Sequence, residues 1–209
     1  MLGDDSFAKI RALAETDPRT QLYFRRQLAE TYEEFMSVLY EDIDAIVRKA
    51  QERKQIYHDA TEDTITMFIV DLLSERGYEA HHDPKQGGHV DIMVRGKDPA
   101  FQWLGEAKRD NGPAWLEEGM LQLCRRYTDG TPNRNHGGIL VYCQGKFAAR
   151  ILKNWRTALE STERFEELTT SDCPRLPGLA FTSQHIHDTS GLPYTTRHIA
   201  VALYHDPVV

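Results

Sequence analysis

Asp91, Glu106 and Lys108 are the residues of this chain whose types and spacing point most directly to chemistry. They lie within residues 87–109, GGHVDIMVRGKDPAFQWLGEAKR, where two strand-like runs are joined by the turn residues Gly96-Lys97-Asp98-Pro99. Alternation along a strand sends residues two apart to one face, so Glu106 and Lys108 point together while Ala107 faces the other way. If the two runs pair as an antiparallel hairpin, Asp91 falls opposite Glu106 when the hairpin is centred between Asp98 and Pro99, within a residue or so of that turn. Directly opposed side chains sit about 4.5–5.5 Å apart at Cβ. Two carboxylates that close repel, and a divalent cation with oxygen ligands removes the repulsion. Hard oxygen donors select Mg²⁺ or Mn²⁺ over thiophilic metals. Lys108 adds an ammonium, suited to orienting an attacking water or to stabilising charge that builds on a phosphate. Metal, carboxylates and lysine together suit phosphodiester hydrolysis. The same residues also suit a solvated cross-strand ion-pair face, Asp91 and Glu106 with Lys108 or Arg109, and spacing alone leaves both readings open.

The elements that must position these residues follow from periodicity. Residues 61–76 form an amphipathic helix with Ile65, Ile69, Leu72 and Leu73 on one stripe, stopped by Gly77. Strands are expected at 78–82, 90–94 and 101–108, with a turn-rich DPKQGG before the second. A helix at 115–127, a buried strand at 139–143, a helix at 147–159 and two late strands at 179–185 and 198–204 complete the pattern. This order implies a mixed sheet with helices packed against it. Glu62 lies on the inward stripe of the first of these helices, in its first turn, where a carboxylate reaches toward the edge of a metal site. The run Asp59-Ala60-Thr61-Glu62 equally fits a capping box.

Residues 1–56 read as a helical extension. A short helix ends near Asp17-Pro18, and 20–56 then runs without Gly or Pro. Ala29, Tyr32, Met36, Leu39, Ile43 and Ile46 alternate at spacings of three and four, a heptad seam that suits either a dimer or partner contact or a helix laid on the body of its own domain.

Asp91, then Glu106-Ala107-Lys108, after a helix bearing Glu62, resembles the PD-(D/E)XK nuclease superfamily, which includes restriction endonucleases and related DNA-processing enzymes. The resemblance spans residues 61–143, and the element order matches that superfamily's αβββαβ core. Gly88-His89-Val90-Asp91 supplies the Asp without a preceding Pro. The helix that follows, EEGMLQLCRRY, resembles the helix carrying a Gln and a Tyr in the RecB-like branch. Gln122 matches the Gln, while Tyr127 stands five residues on rather than the usual four. Tyr127 also shares a stripe with Leu116, Met120 and Leu123, a core position. Gly119, Gln122 and Arg126 share another stripe, with Gly119 permitting close backbone approach; it either faces a phosphate or the metal site, or is an exposed polar face.

The resemblance implies an α/β fold, restriction-endonuclease-like over residues 57–209, beside the extension at 1–56. It implies Asp91 and Glu106 as ligands of Mg²⁺ or Mn²⁺, the Ala107 carbonyl completing the shell, and Lys108 positioning or activating the water. Glu62 and Gln122 join the catalytic set. The implied substrate is DNA, cut by in-line attack on phosphorus, with restriction or anti-phage defence as the fold's usual company. Two further readings stand beside this one: a non-catalytic nucleic-acid-binding or assembly module of the same fold, and a nuclease subunit activated by a partner.

Bulk composition bounds these readings. With 209 residues, 40% hydrophobic and 27% charged, the chain is long enough for a sizeable core. Its net charge of −7 argues against nucleic-acid binding by bulk charge, so Arg109, Arg125, Arg126, Arg134, Lys85 and Lys97 would have to form a local basic rim. The three cysteines show no metal-ligand spacing, and no apolar run approaches the ~18 residues that span a bilayer. A soluble, cytoplasmic protein without a membrane partner is expected. His185 and His187 share a strand face, either approaching substrate or serving as ordinary polar residues, and no histidine shows zinc-site spacing.

Overall fold

The computed structural model describes residues 4–82 and 89–207; the turn expected around 83–88, with Lys85, lies outside the described residues. In chain order the elements are α1 (Asp4–Thr16), α2 (Pro18–Gln27), α3 (Tyr32–Glu52), α4 (Lys54–Tyr57), α5 (Glu62–Glu75), β1 (Glu79–His82), β2 (Ile92–Arg95) and β3 (Gln102–Arg109). Then follow α6 (Pro113–Gln122), a π-helical turn (Leu123–Tyr127), β4 (His136–Cys143), α7 (Ala148–Glu160), β5 (Glu166–Asp172), β6 (Ala180–Ile186) and β7 (Pro193–Ala202). The strands form one seven-stranded mixed sheet in the order β1-β2-β3-β4-β7-β6-β5. β3, β4 and β7 run parallel at its centre, and the other neighbours pair antiparallel. The chain is thus an α/β protein with helices on both faces of the sheet, as a parallel centre requires. No helix among the described residues is long and apolar enough to cross a membrane.

Strand alternation divides the core into two layers. Trp103 and Ala107 of β3, with Leu140 and Tyr142 of β4, pack with α3 and α5. Leu104 of β3, with Ile139, Val141 and Cys143 of β4, packs with α6 and α7 on the opposite face. Trp103 is accommodated by two glycines on neighbouring strands. A Cβ at either Gly105 or Gly138 would come within 2.5 Å of the indole.

The heptad stripe packs on the chain's own sheet. Tyr32, Met36, Leu39, Ile43 and Ile46 are buried in one cluster with Ile65, Ile69 and Leu73 of α5 and with the sheet, and Ala29 packs against it. Residues 29–50 and the segment that follows therefore share this core. The expected unbroken helix over 20–56 is interrupted before α3. Thr31 accepts from the Glu34 amide, while the Glu34 carboxylate accepts from the Glu30 and Thr31 amides, a complete capping box that starts a new helix. The edge strand β5 was not expected, because its exposed residues EELTTSD lack an apolar alternation. β7 also begins at Pro193, five residues before the expected start at His198.

Buried charge ties the N-terminal helices to the sheet. Asp42 of α3 is fully buried and held by Arg26 of α2 at 2.6 Å, by Arg76 at 2.9 Å and by the Tyr78 hydroxyl at 2.8 Å. A second bridge joins Asp44 to Arg197 of β7 at 2.8 Å and to Arg175 at 2.7 Å. Removing one member of such a group leaves the others charged and unpaired in a poorly solvated place. Asp42→Ala is accordingly expected to lower stability by about 3–5 kcal/mol, measured by urea denaturation, with Asp42→Asn costing less.

Candidate active site

The site is built at one end of the β2–β3 hairpin. The observed pairs are Ile92 with Gly105, Met93 with Leu104, Val94 with Trp103 and Arg95 with Gln102. One further step of the same register sets Asp91 beside Glu106, as the sequence pattern predicts. Asp91 lies at a bend just before β2, half-buried, and its Oδ2 accepts from the Ala107 amide at 2.8 Å. The bend is held from the other side by His82, whose Nδ1 is 2.9 Å from the Asp91 carbonyl oxygen.

Glu106 is only 1% exposed. Its Oε1 lies 2.6 Å from the Lys108 Nζ, and its Oε2 is buried with no hydrogen-bond partner. Both side chains leave β3 on the face covered by α6. Gly119 is what lets that helix come so close, since a Cβ there would stand 2.9 Å from Lys108 Cγ and 3.5 Å from Glu106 Cγ. The Lys108 ammonium lies over the Trp115 ring, 5.7 Å from its centroid.

Glu62 opens α5 and reaches the same strand end, where its Oε2 accepts from the Arg109 amide at 2.8 Å. The capping-box alternative for Glu62 does not hold. The N-cap is Thr61, which accepts from the Thr64 amide, so Glu62 is the first helical residue and its carboxylate is free to turn toward β3. Ala107 directs its side chain into the opposite core layer, and its amide is the donor that anchors Asp91. Gln122 ends α6 one turn beyond Gly119, half-buried, and its amide makes no hydrogen bond among the described residues.

Burial shapes the electrostatics. It raises the pKa of Glu106, and the charge of Asp91 adds to the rise, so that the group is pushed up to about 8 despite the neighbouring ammonium. Asp91 and Glu62 are raised as well, chiefly by burial and partly offset by the Ala107 and Arg109 amides and by Lys108. For Lys108, burial opposes the charged form, but Glu106, Asp91 and Glu62 outweigh it and the net shift is upward. Three acidic groups shifted toward protonation around one lysine mark a place where positive charge is in short supply.

A hard cation fits that shortage. Among the described residues, no group of three or more His, Cys, Asp or Glu side chains is gathered to hold a metal. Mg²⁺ does not require one, because it keeps several waters and binds through one or two carboxylates plus substrate phosphates. The partnerless Glu106 Oε2 is an oxygen donor with nothing to donate to, and Asp91 is its neighbour. Those two carboxylates would hold the ion.

Tyr127 is closer to the site than its apolar stripe suggests. It is buried in the layer under α6, and its pKa is raised by burial and then by the charges of Glu106 and Asp91. The π-helical turn accounts for this. The Thr128 amide bonds the Leu123 carbonyl at 3.2 Å, a five-residue hydrogen bond, and such a turn stacks residues five apart roughly as an α-helix stacks residues four apart. The extra residue between Gln122 and Tyr127 is absorbed there. The five-residue spacing was itself the available signal.

The rest of the sequence-based set divides. Arg125 is taken by Asp188 at 2.9 Å and Arg134 by Asp129 at 3.7 Å, while Lys97 bonds the Gln27 carbonyl at 3.4 Å. Arg109 and Arg126 are exposed. His185 and His187 do not face substrate, for they are buried with His198 beneath the sheet's other half. The Trp155 indole donates to His198 Nδ1 at 3.0 Å, which leaves its Nε2 to donate to Ser183 at 2.9 Å.

Comparison with protein-family models, with curated proteins and with solved structures gives no match. The geometry therefore carries the functional argument.

A pH dependence follows from Glu106. In metal-free protein it holds a proton when folded that the unfolded chain has released, so stability is lost as pH rises from the ordinary carboxyl value of 4.5 through about 8. His185 and His198, lowered by burial to about 4 and about 3, act in the opposite sense: their contribution grows as pH rises toward 6.5 and is then level. Urea denaturation in EDTA between about pH 7 and pH 8.5 is expected to show stability falling, and Glu106→Gln is expected to flatten that fall.

Proposed function

We propose that this chain is a Mg²⁺- or Mn²⁺-dependent phosphodiesterase of the PD-(D/E)XK type that hydrolyses DNA. The observation that supports it best is the buried meeting of Asp91 and Glu106 at one hairpin end, with the Lys108 ammonium 2.6 Å from Glu106. The element order α5-β1-β2-β3-α6-β4 agrees with the αβββαβ core that the motif residues resemble. An ion pair buried for stability alone is a poor device, since apolar replacements of similar volume are often as stable. A concentration of carboxylates with raised pKa values around one lysine is better explained by chemistry.

In this reading Asp91 and Glu106 would hold the cation, which when bound would supply a Lewis acid for the phosphoryl oxygens. Lys108 orients the attacking water or neutralises charge on the phosphate. Water adds to phosphorus in line with the departing oxygen and gives up a proton to solvent, the P–O ester bond breaks, and the leaving alkoxide takes up a proton from solvent. Glu62, fixed on the Arg109 amide, would position water or phosphate from the strand end, and Gln122, one turn beyond Gly119, would do so from α6.

The close Lys108–Glu106 contact also favours a second reading, a buried ion pair in a non-catalytic binding module of the same architecture. Metal dependence separates the two. Purified protein incubated with supercoiled plasmid is expected to nick it in Mg²⁺ or Mn²⁺ and not in EDTA. Asp91→Ala and Lys108→Ala are each expected to slow nicking by at least about 100-fold. Nicking that survives both substitutions, or that proceeds in EDTA, refutes the proposed site.

A further inference from the structure

We infer that the rim at the carboxyl ends of β3, β4 and β7 is a stacking platform for a single-stranded nucleic-acid segment, leading into the Asp91–Glu106–Lys108 pocket. The inference deepens the phosphodiesterase reading and rests on it for the chemistry alone.

Three aromatic rings follow the three parallel strands, each with a cation beside it. After β3, Trp115 carries the Lys108 ammonium 5.7 Å from its centroid. After β4, the Arg150 guanidinium lies 4.4 Å from the Phe147 centroid, and after β7, Lys146 lies 5.3 Å from that of Tyr204. Because β3, β4 and β7 are adjacent and parallel, their carboxyl ends share one edge of the sheet. Ligands of open α/β sheets bind outside that edge. Neighbouring strands are about 4.8 Å apart, and the strands that Phe147 and Tyr204 follow lie one and two places from β3, which carries Glu106 and Lys108.

Two of the rings are presented to solvent, and Tyr204 is half-buried. Trp115 is 46% exposed and Phe147 62%. Phe147 is costly to hold in this way, because it caps α7 in the left-handed region at φ 71, with no side-chain cap, where glycine would sit without strain. A large ring kept in water on a strained backbone is a candidate for contact.

Charge decides which nucleic acid. Duplex binding depends on many phosphate contacts from free cations. This chain has 32 acidic residues against 25 basic ones, and several of its arginines are neutralised internally by Asp42, Asp44, Asp129 and Asp188. That acidic balance disfavours a broad phosphate grip on a duplex, whose base faces are hidden in the stack. A single strand offers those faces, and aromatic stacking with local cations supplies affinity without a broad basic surface.

The test measures binding of a fluorescein-labelled single-stranded oligonucleotide of mixed sequence, and of its duplex, in EDTA so that nothing is cut. The single strand is expected to bind at least about tenfold more tightly than the duplex. Trp115→Ala and Phe147→Gly are each expected to weaken single-strand binding by roughly tenfold. Phe147→Gly relieves the backbone at that position, so an unchanged or higher melting temperature separates lost contact from lost fold. Trp103 and Trp155 are each 1% exposed, so quenching of tryptophan emission by the oligonucleotide reports on Trp115. Equal affinity for duplex, no single-strand binding, or unchanged binding by both variants overturns the inference. So does a rim whose substitution abolishes only self-association, which would make it a protein contact. Single-strand binding without nicking leaves the platform standing and removes the nuclease; nicking without strand preference does the reverse.

Discussion

A one-residue slip between β2 and β3 would turn Asp91 away from Glu106, so the register of this hairpin is the constraint on which the site rests. Two features hold it. The connecting loop closes on itself: the Gly96 amide donates to the Phe101 carbonyl at 3.0 Å, and Asp98 accepts the Ala100 amide at 2.8 Å through its side chain. On the sheet, Ile92 of β2 packs against its partner Gly105, where an added Cβ would stand 3.4 Å from the Ile92 Cβ. The loop lies at the far end of the hairpin from the carboxylates, and Gly105 directly precedes Glu106. The carboxylates are thus positioned by the turn and by backbone packing.

Burial then sets the electrostatics of that position. α5 and α6 cover opposite faces of β3, and between them they exclude water from the strand end where Glu62, Glu106 and Lys108 meet. The same desolvation that raises the three carboxylates makes a bound cation worth more there than on an open surface. α3 contributes from behind, since its apolar stripe supports the layer in which α5 and Ala107 sit. The N-terminal helices therefore belong to the machinery that keeps the site dry.

Much of this was legible in the sequence, for identifiable reasons. The Asp91–Glu106 pairing could be read because strand alternation and a Gly-Lys-Asp-Pro turn leave little freedom in a short hairpin. Gly119 was legible as a close approach because it shares a helical stripe with Gln122. The start of α5 was legible to within one residue, whereas its cap was not, since Asp59 and Thr61 both satisfy cap chemistry and only the fold selects Thr61. The break before α3 was written in Thr31 and Glu34, but the absence of Gly and Pro masked it. β5 was not legible, because an edge strand exposed on both sides has no apolar period to display. The burial of the histidines was not legible because nothing local marks it: the hydrogen-bond partners of His198, Trp155 and Ser183, come from other elements.

The π-helical turn has a consequence for how this segment tolerates length change. It holds one residue more than a regular turn of the same rise, and so takes up the extra residue between Gln122 and Tyr127. Deleting a single residue from 123–127 would let α6 continue as ordinary helix up to the loop, leaving Gln122 and the sheet where they are. The same deletion inside 113–122 would rotate Gly119 about 100° relative to what precedes it and bring a side chain down onto Lys108. Elastic and rigid stretches of one helix thus lie side by side, and it is the rigid one whose Gly119 lies against Lys108.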